Sequence, residues 1–301
     1  MSIIVDKNTK VLIQGITGKV GRSFAKKMIE DGTNLVCGVT PGKGGETLFD
    51  IPIFDSIEEA LQKTNANTCL LVVPATHLRD AALEALYFGI KQIVIYTENV
   101  PLHDEIEIAY YARLKGIRVL GPASAGVVSP GKTNVSDLDT KYLRKGNIGI
   151  VSKSGTITYE VLDGLSKVGL GVSTLVCLGG DRVVATTYTD ILPLFEQDLD
   201  TKAVIMIGEI GGTAELEAAT YIEKMNKPVF VYIAGQFAPP GKRMGHAGAI
   251  VNRDGVDSAK AKTEMLKKAG ALVTWKLNDI PTSITGYFFD KDKIKILKII
   301  Q

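Results

Sequence analysis

Short runs of Val, Ile and Leu recur along the chain without polar alternation, and between them lie stretches whose apolar residues return at helical spacing. The first series of runs is Val11-Leu12-Ile13, Leu35-Val36, Leu70-Leu71-Val72-Val73, Ile93-Val94-Ile95 and Val119-Leu120. A strand apolar on both sides is buried on both faces, as in a parallel sheet covered by helices. The spacing predicts those helices over Arg22 to Asp31, Ile57 to Gln62, Arg79 to Phe88 and Glu105 to Lys115. A second series follows, with Ile148-Gly149-Ile150-Val151, Leu175-Val176, Ala203-Val204-Ile205-Met206, Val229-Phe230-Val231-Tyr232 and Leu272-Val273, again separated by helical stretches. Strand–helix alternation of this kind predicts an α/β chain with two parallel sheets. The domains are expected at residues 1–123 and 146–301. Residues 124–145, with Pro130, Gly131 and scattered polar side chains, are read as a linker.

Composition narrows the function classes. A chain of 301 residues that is 45% hydrophobic can bury two cores of ordinary size. Its 35 Lys plus Arg nearly balance 33 Asp plus Glu, so no general attraction for nucleic acid or an anionic membrane is expected, and any anion site must be local. Cys37, Cys69 and Cys177 are widely spaced among apolar residues and fit neither a disulfide framework nor a metal-binding pair, which points to a reducing compartment. Met1 to Lys10 carries Asp6 and two lysines without an apolar stretch, and no run approaches the roughly 20 residues that span a bilayer. A cytoplasmic location is expected.

Candidate chemistry gathers at strand ends. Val11-Leu12-Ile13-Gln14 runs into Gly15-Ile16-Thr17-Gly18-Lys19-Val20-Gly21 and then a helix, the strand–turn–helix context in which glycines admit a phosphate to backbone N–H groups. A plain structural turn has the same spacing. The acid that would hold a ribose in a dinucleotide site is absent after the second strand. Thr40-Pro41-Gly42-Lys43-Gly44-Gly45 stands there instead, and Lys43 suits a phosphorylated adenine cofactor other than NAD. In the second half, Ser152-Lys153-Ser154-Gly155-Thr156 opens a helix, so N–H groups and hydroxyls collect where a dianion is stabilised, although an ordinary N-cap needs no more. Glu209, in Gly208-Glu209-Ile210-Gly211-Gly212, ends a buried strand, where a carboxylate can orient an imidazole. The imidazole of interest is His246, in Gly245-His246-Ala247-Gly248-Ala249 after Gly241-Lys242-Arg243-Met244. A histidine partly neutral at physiological pH and flanked by small residues can accept and release a phosphoryl group; an unreactive turn histidine is the plain alternative.

Taken in order, these motifs, with Thr97-Glu98, resemble the α subunit of succinyl-CoA synthetase over nearly the whole chain. The resemblance implies a Rossmann-like CoA-binding domain followed by a flavodoxin-like domain with a phosphorylated histidine. CoA would then meet Thr17, Gly18, Lys19, Val20, Lys43, Tyr96, Thr97 and Glu98. His246 would carry the phosphoryl group and Glu209 would hold its ring. Ser154, Gly155 and Thr156 would face the phosphate, and Tyr159 would lie near the acid. It further implies a β subunit of the ATP-grasp type that binds ATP or GTP with Mg²⁺, and no metal site in this chain.

Two stretches depart from the family pattern. Gly121-Pro122-Ala123-Ser124-Ala125-Gly126 replaces the usual Gly-Pro-Asn-Cys-Pro-Gly, and Gly179-Gly180-Asp181-Arg182 replaces Gly-Gly-Asp-Pro. Ala123 and Arg182 look more like ATP citrate lyase. Succinate is the expected acid, with citrate or malate, or a CoA-binding protein without catalysis, as the alternatives. A nicotinamide-dependent dehydrogenase is disfavoured by the missing acid and by Lys43.

Overall fold

The computed structural model describes residues 2–300, with side chains to Phe289. Met1 and Gln301, the outer bounds of the expected domains, lie outside the described residues. The first half builds β1 (Val11–Gln14), α1 (Lys19–Glu30), β2 (Leu35–Val39), β3 (Thr47–Leu48), β4 (Ile51–Phe54), α2 (Ile57–Lys63), β5 (Thr68–Leu71), α3 (Ala75–Tyr87), β6 (Gln92–Ile95), α4 (Leu102–Lys115) and β7 (Arg118–Leu120). Its seven-stranded sheet runs β3-β4-β2-β1-β5-β6-β7. All neighbours are parallel except β3 and β4. The chain leaves β1 for β2 on one side and later enters β5 on the other, so a crevice opens beyond the carboxyl ends of β1 and β5.

The second half builds β8 (Gly126–Ser129), β9 (Thr133–Ser136), β10 (Lys145–Ser152), α5 (Gly155–Lys167), β11 (Val172–Cys177), α6 (Tyr188–Gln197), β12 (Ala203–Glu209), α7 (Ala214–Ile222), β13 (Val229–Ala234), α8 (Ala259–Lys268), β14 (Leu272–Val273) and α9 (Asp279–Ile300). The sheet order is β14-β13-β12-β10-β11-β8-β9. Here the switch in winding falls between β10 and β12, which pair in parallel from Ile148↔Ala203 to Ser152↔Ile207. Both halves are thus doubly wound α/β layers, as the apolar runs predict.

Residues 124–145 are not a passive linker. They form the β8–β9 hairpin, antiparallel to β11, and complete the second sheet. Every residue of both strands is buried. Pro130-Gly131, read from sequence as a linker signal, is the hairpin turn; local turn chemistry is the same in both cases, and only pairing with β11 decides. The β3–β4 hairpin also escapes sequence reading, because β3 has two residues and Pro52 interrupts the apolar stretch of β4.

The two sheets pack through a continuous seam. Gly121 N–H donates to the Leu178 carbonyl, and Ala123 and Ser124 N–H donate to the carbonyls of Thr97 and Ile95. Ser124 Oγ donates to the Cys177 carbonyl at 2.6 Å. The segment that departs from the family pattern therefore lies between the ends of β6 and β11. All three cysteines are free and buried. No described helix is long and apolar enough to cross a membrane.

Candidate active site

The crevice of the first domain is a cavity of about 1240 Å³ lined by Thr17, Gly18, Lys19, Val20, Tyr96, Thr97 and Glu98, together with the ends of β2 and β5. Its volume exceeds that of the usual drug-sized pocket. Gly18 caps α1 without any side-chain bond, so the first-turn N–H groups of the helix are left for an anion. A side chain at Gly21 would meet the Gly15 carbonyl at 2.2 Å, so glycine there is what lets the helix close on the turn. Lys43 is the expected CoA residue that does not line the cavity. It stands on the neighbouring loop, where its Nζ pairs with Glu46 at 3.0 Å and both side chains are about half exposed.

Near Tyr96 stands Asp137, whose carboxyl is held above its ordinary range by burial, against its own backbone N–H, the charge of Lys27 and a hydrogen bond from Tyr96. Tyr159 reaches the same segment: its hydroxyl donates to the Asp137 carbonyl at 3.0 Å and accepts the Asp139 N–H at 3.2 Å. The one donor of that hydroxyl is thus spent inside the chain.

The second centre is built at the switch point between β10 and β12. Glu209 ends β12 and is buried; His246 arrives on the loop after β13. Their contact, His246 Nδ1 to Glu209 Oε2, is 2.7 Å. A carboxylate only accepts, so Nδ1 carries the proton and Nε2 keeps the lone pair. The Glu209 hydrogen bond raises the His246 pKa above its ordinary value, against burial, which lowers it; Asp181 adds to the rise and Lys153 opposes it. Because folding raises this pKa, the pair stabilises the fold fully below the unfolded value and loses that contribution as pH rises through the folded one.

The loop is held from three sides. Met244 N–H donates to the Ala249 carbonyl and Gly248 N–H to the Gly180 carbonyl. Arg243 Nε donates to the carbonyls of Gly245 and His246, and its Nη2 reaches Asn99 Oδ1 at 3.2 Å, beside the Glu98 wall of the cavity. Gly180 lies flat against the imidazole, where a Cβ would sit 2.4 Å from the ring. Asp181, buried next to it, accepts the Val100 N–H at 3.2 Å, so the histidine loop and the cavity wall share one scaffold. Arg182 stays exposed.

At the start of α5, Ser154 is a true N-cap, accepting the Ile157 N–H at 3.2 Å. That bond uses only an acceptor lone pair of the hydroxyl, so the Ser154 O–H and the first-turn N–H groups of Gly155 and Thr156 remain for an anion. Beneath them lies a charged cluster that sequence reading did not single out. Glu215, wholly buried, takes Lys262 Nζ at 2.5 Å on one oxygen and Lys153 Nζ at 3.2 Å on the other. Lys262, also wholly buried, donates to the carbonyls of Glu209 at 2.8 Å and Gly211 at 2.5 Å. Burial alone would raise the Glu215 carboxyl; the two lysines outweigh it and hold it below the usual range. Lys262 reads in sequence as one of four lysines on an ordinary helix, and Glu215 as a first-turn acid, so nothing local marks them. Among the described residues no cluster of His, Cys, Asp and Glu could hold a metal ion.

A phosphate-ready cavity in one α/β domain and a carboxylate-held histidine at the switch point of a second define a CoA ligase of the two-domain type. Residues 6–99 match the CoA binding domain, and residues 151–272 match the CoA-ligase domain. The chain belongs to the family of succinate–CoA ligase (ADP-forming) α subunits. It is 48% identical to α subunit 2 of Archaeoglobus fulgidus over 91% of this chain and 95% of that one. It is also 48% identical to the α subunit of Aquifex aeolicus over 100% and 96%, and 42% identical to that of Staphylococcus epidermidis over 97% and 96%. The fold recurs in ATP citrate lyase from Methanothrix soehngenii in complex with citrate and coenzyme A, with a TM-score of 0.85 at 23% identity, over 99% of this chain and 52% of that one. It recurs too in an acetyl-coenzyme A synthetase from Ca. Korarchaeum cryptofilum in complex with phosphate and ADP, with a TM-score of 0.73 at 18% identity, over 91% and 59%. The chain spans little more than half of those longer chains, and the likeness is one of fold.

Proposed function

We propose that this chain is the α subunit of a ligase that makes succinyl-CoA from succinate, CoA and a nucleoside triphosphate, with His246 as the phosphoryl carrier. What supports the assignment above all is the 2.7 Å contact of His246 with Glu209, which leaves Nε2 as the nucleophilic nitrogen. In the first step Nε2 attacks the terminal phosphorus of ATP or GTP, the bond from that phosphorus to the bridging oxygen breaks, and the nucleoside diphosphate leaves. Glu209, bonded to Nδ1, sits against the imidazolium that forms. A carboxylate oxygen of succinate then takes the phosphoryl group from His246, giving an acyl phosphate. The sulfur of CoA attacks its carbonyl carbon, phosphate departs, and the thiol proton is lost to solvent or base.

The residues of this chain divide that work. Thr17, Gly18, Lys19, Val20, Tyr96, Thr97 and Glu98 would bind CoA, with Lys43 closing over it only after leaving Glu46. The free N–H groups of Gly155 and Thr156, behind the Ser154 cap, would hold phosphoryl oxygens. Tyr159 would act through the 137–139 segment it braces, beside the acid. The nucleotide and Mg²⁺ would be bound by a partner β subunit of the ATP-grasp type, since both domains of this chain are taken up by the cavity and the histidine. A cytoplasmic site of action fits this chemistry.

Citrate is the rival acid, because Ala123, Ser124 and Ala125 stand at the seam between the cavity and the second domain. The test is mass spectrometry at alkaline pH on the co-expressed complex after ATP and Mg²⁺. Phosphate on His246 that is discharged by succinate plus CoA supports the proposal; discharge by citrate alone reassigns the acid. No phosphate on His246 would leave a CoA-binding protein without catalysis.

The raised His246 pKa sets the pH dependence. Phosphate uptake needs the neutral ring, so its rate should climb with pH through a midpoint above the ordinary value of about 6.5. In Glu209→Gln the midpoint should move down, and the plateau should fall by about 10- to 100-fold because the ring loses its orienting charge. Single-turnover phosphorylation across pH measures both; an unmoved midpoint would refute the role given to Glu209.

A further inference from the structure

Phosphorylation of His246 would bring a charge of about −1.5 to −2 into a site that already holds two carboxylates, Glu209 and buried Asp181. The start of α5 offers only about half a positive charge in return. A cation from this chain would offset more of that charge, and Lys153 is placed to supply it. It directly follows β10 and its backbone N–H is fixed to the Ile207 carbonyl at 3.1 Å, so its Cα is held at the sheet end next to the Ser154 cap. The Glu215 oxygen that receives its ammonium at 3.2 Å also accepts the Glu209 N–H at 3.3 Å, and Glu209 holds the His246 ring at 2.7 Å, so the ammonium rests one residue away from the group that orients the ring.

The partner that Lys153 uses at rest can spare it. Glu215 Oε1 receives Lys153 at 3.2 Å, but Glu215 also holds Lys262 at 2.5 Å on its other oxygen and accepts the Glu209 N–H at 3.3 Å. If Lys153 leaves, Glu215 keeps one cation and a backbone donor, so no buried charge is left uncompensated. Lys262 cannot make the same move, because it is wholly buried and bound to two carbonyls as well. Lys153 retains 12% side-chain exposure and a flexible four-carbon stem.

We propose that Lys153 is the cation that joins the start of α5 in holding the phosphoryl group: it rests on Glu215 in the unphosphorylated protein and turns to a phosphoryl oxygen when His246 is charged, leaving Glu215 to Lys262. No bond forms or breaks at Lys153 and no proton is exchanged. The assignment rests on His246 as phosphoryl carrier, and the test separates the two.

The test uses the full chain in complex with its partner subunit, as wild type, Lys153→Met and Lys153→Arg. With ATP and Mg²⁺, Lys153→Met should form phosphohistidine about 100-fold more slowly, the usual loss when one preorganised donor to a developing anion is removed. The phosphohistidine it does form should hydrolyse faster, and Lys153→Arg should recover most of both. CoA affinity by calorimetry should be the same in all three. Wild-type rates and lifetimes in Lys153→Met would overturn the inference, and so would equal losses in Met and Arg accompanied by weaker CoA binding, which would mark a structural role. Inorganic phosphate binding to the uncharged complex, followed by ³¹P NMR, is the independent arm, and Lys153→Met should weaken it about tenfold or more. If the wild type is never phosphorylated yet phosphate binding depends on Lys153, the carrier role of His246 falls and the anion site stands. If phosphate binds both equally, Lys153 has no such role.

Discussion

His246→Ala should take up no phosphate from ATP and should lose ligase activity by at least about 10⁵- to 10⁶-fold, the scale reached when a covalent catalyst loses its nucleophile. The loss should be chemical and not structural. His246 sits on a surface loop with 30% of its side chain exposed, so truncation opens no core cavity. The loop keeps its own ties, Met244 N–H to the Ala249 carbonyl and Arg243 to the Gly245 carbonyl, neither of which uses the imidazole. The cavity of the first domain, proposed for CoA, is lined by none of this loop. CoA affinity of the variant should therefore match the wild type and its thermal midpoint should fall only by the small share that the Glu209 pair contributes, while ³²P transfer from ATP is absent. Measurable phosphate on the chain in His246→Ala would place the carrier elsewhere.

The second large effect is on stability. Lys262→Met removes a wholly buried cation that serves the Glu215 carboxylate and the carbonyls of Glu209 and Gly211. Breaking a buried pair from one side costs about 3–5 kcal/mol, because the remaining charge has no water to turn to. Lys153 still faces Glu215 at 3.2 Å, so the lower end of that range is expected from urea unfolding. Glu215→Leu added to Lys262→Met should recover part of the loss, since it removes the stranded carboxylate, and the double-mutant cycle measures the coupling directly. The pH dependence has the opposite sign to that of His246. Glu215 is held below its ordinary range in the folded state, so its contribution is present above the unfolded value and is lost as pH falls through the folded one. A Lys262→Met variant as stable as the wild type at neutral pH would mean that the cluster contributes nothing to holding the β12 end and Glu209.

The same cluster shows where local reading stops. The ends of β1, β10 and β12 were visible as apolar runs that break into Gly, Ser or Glu, at Gly15 to Gly21, Ser152 to Thr156 and Glu209, whereas Tyr96 to Glu98 entered only through the family resemblance. Such residues announce themselves because strand ends in a doubly wound sheet are where glycine and polar groups become tolerable. Lys262 and Glu215 carry no such mark. A lysine in Ala259–Lys268 and an acid in the first turn of α7 are ordinary on a solvated helix, and their burial exists only because α7 and α8 pack over the end of β12. Lys43 shows the converse: its glycine-rich loop was conspicuous, but the ammonium rests on Glu46 outside the cavity. Ala123 to Ala125 were visible as a departure, while their place between the two sheets was not.

Hydrophobic periodicity alone therefore determined the two α/β layers, because burial on both faces of a strand leaves a pattern in adjacent residues. Motif order determined the cavity turn and the histidine with its carboxylate, because each depends on a short segment with its own backbone demands. Tertiary structure decided that 124–145 closes the second sheet, that Asn99 and Asp181 tie the cavity wall to the histidine loop, and that two lysines meet one buried acid beneath Glu209. Those contacts join residues 47 to 144 positions apart or depend on which strand is a neighbour, and a pairing energy that arises only when distant segments desolvate each other leaves no trace in the order of the residues.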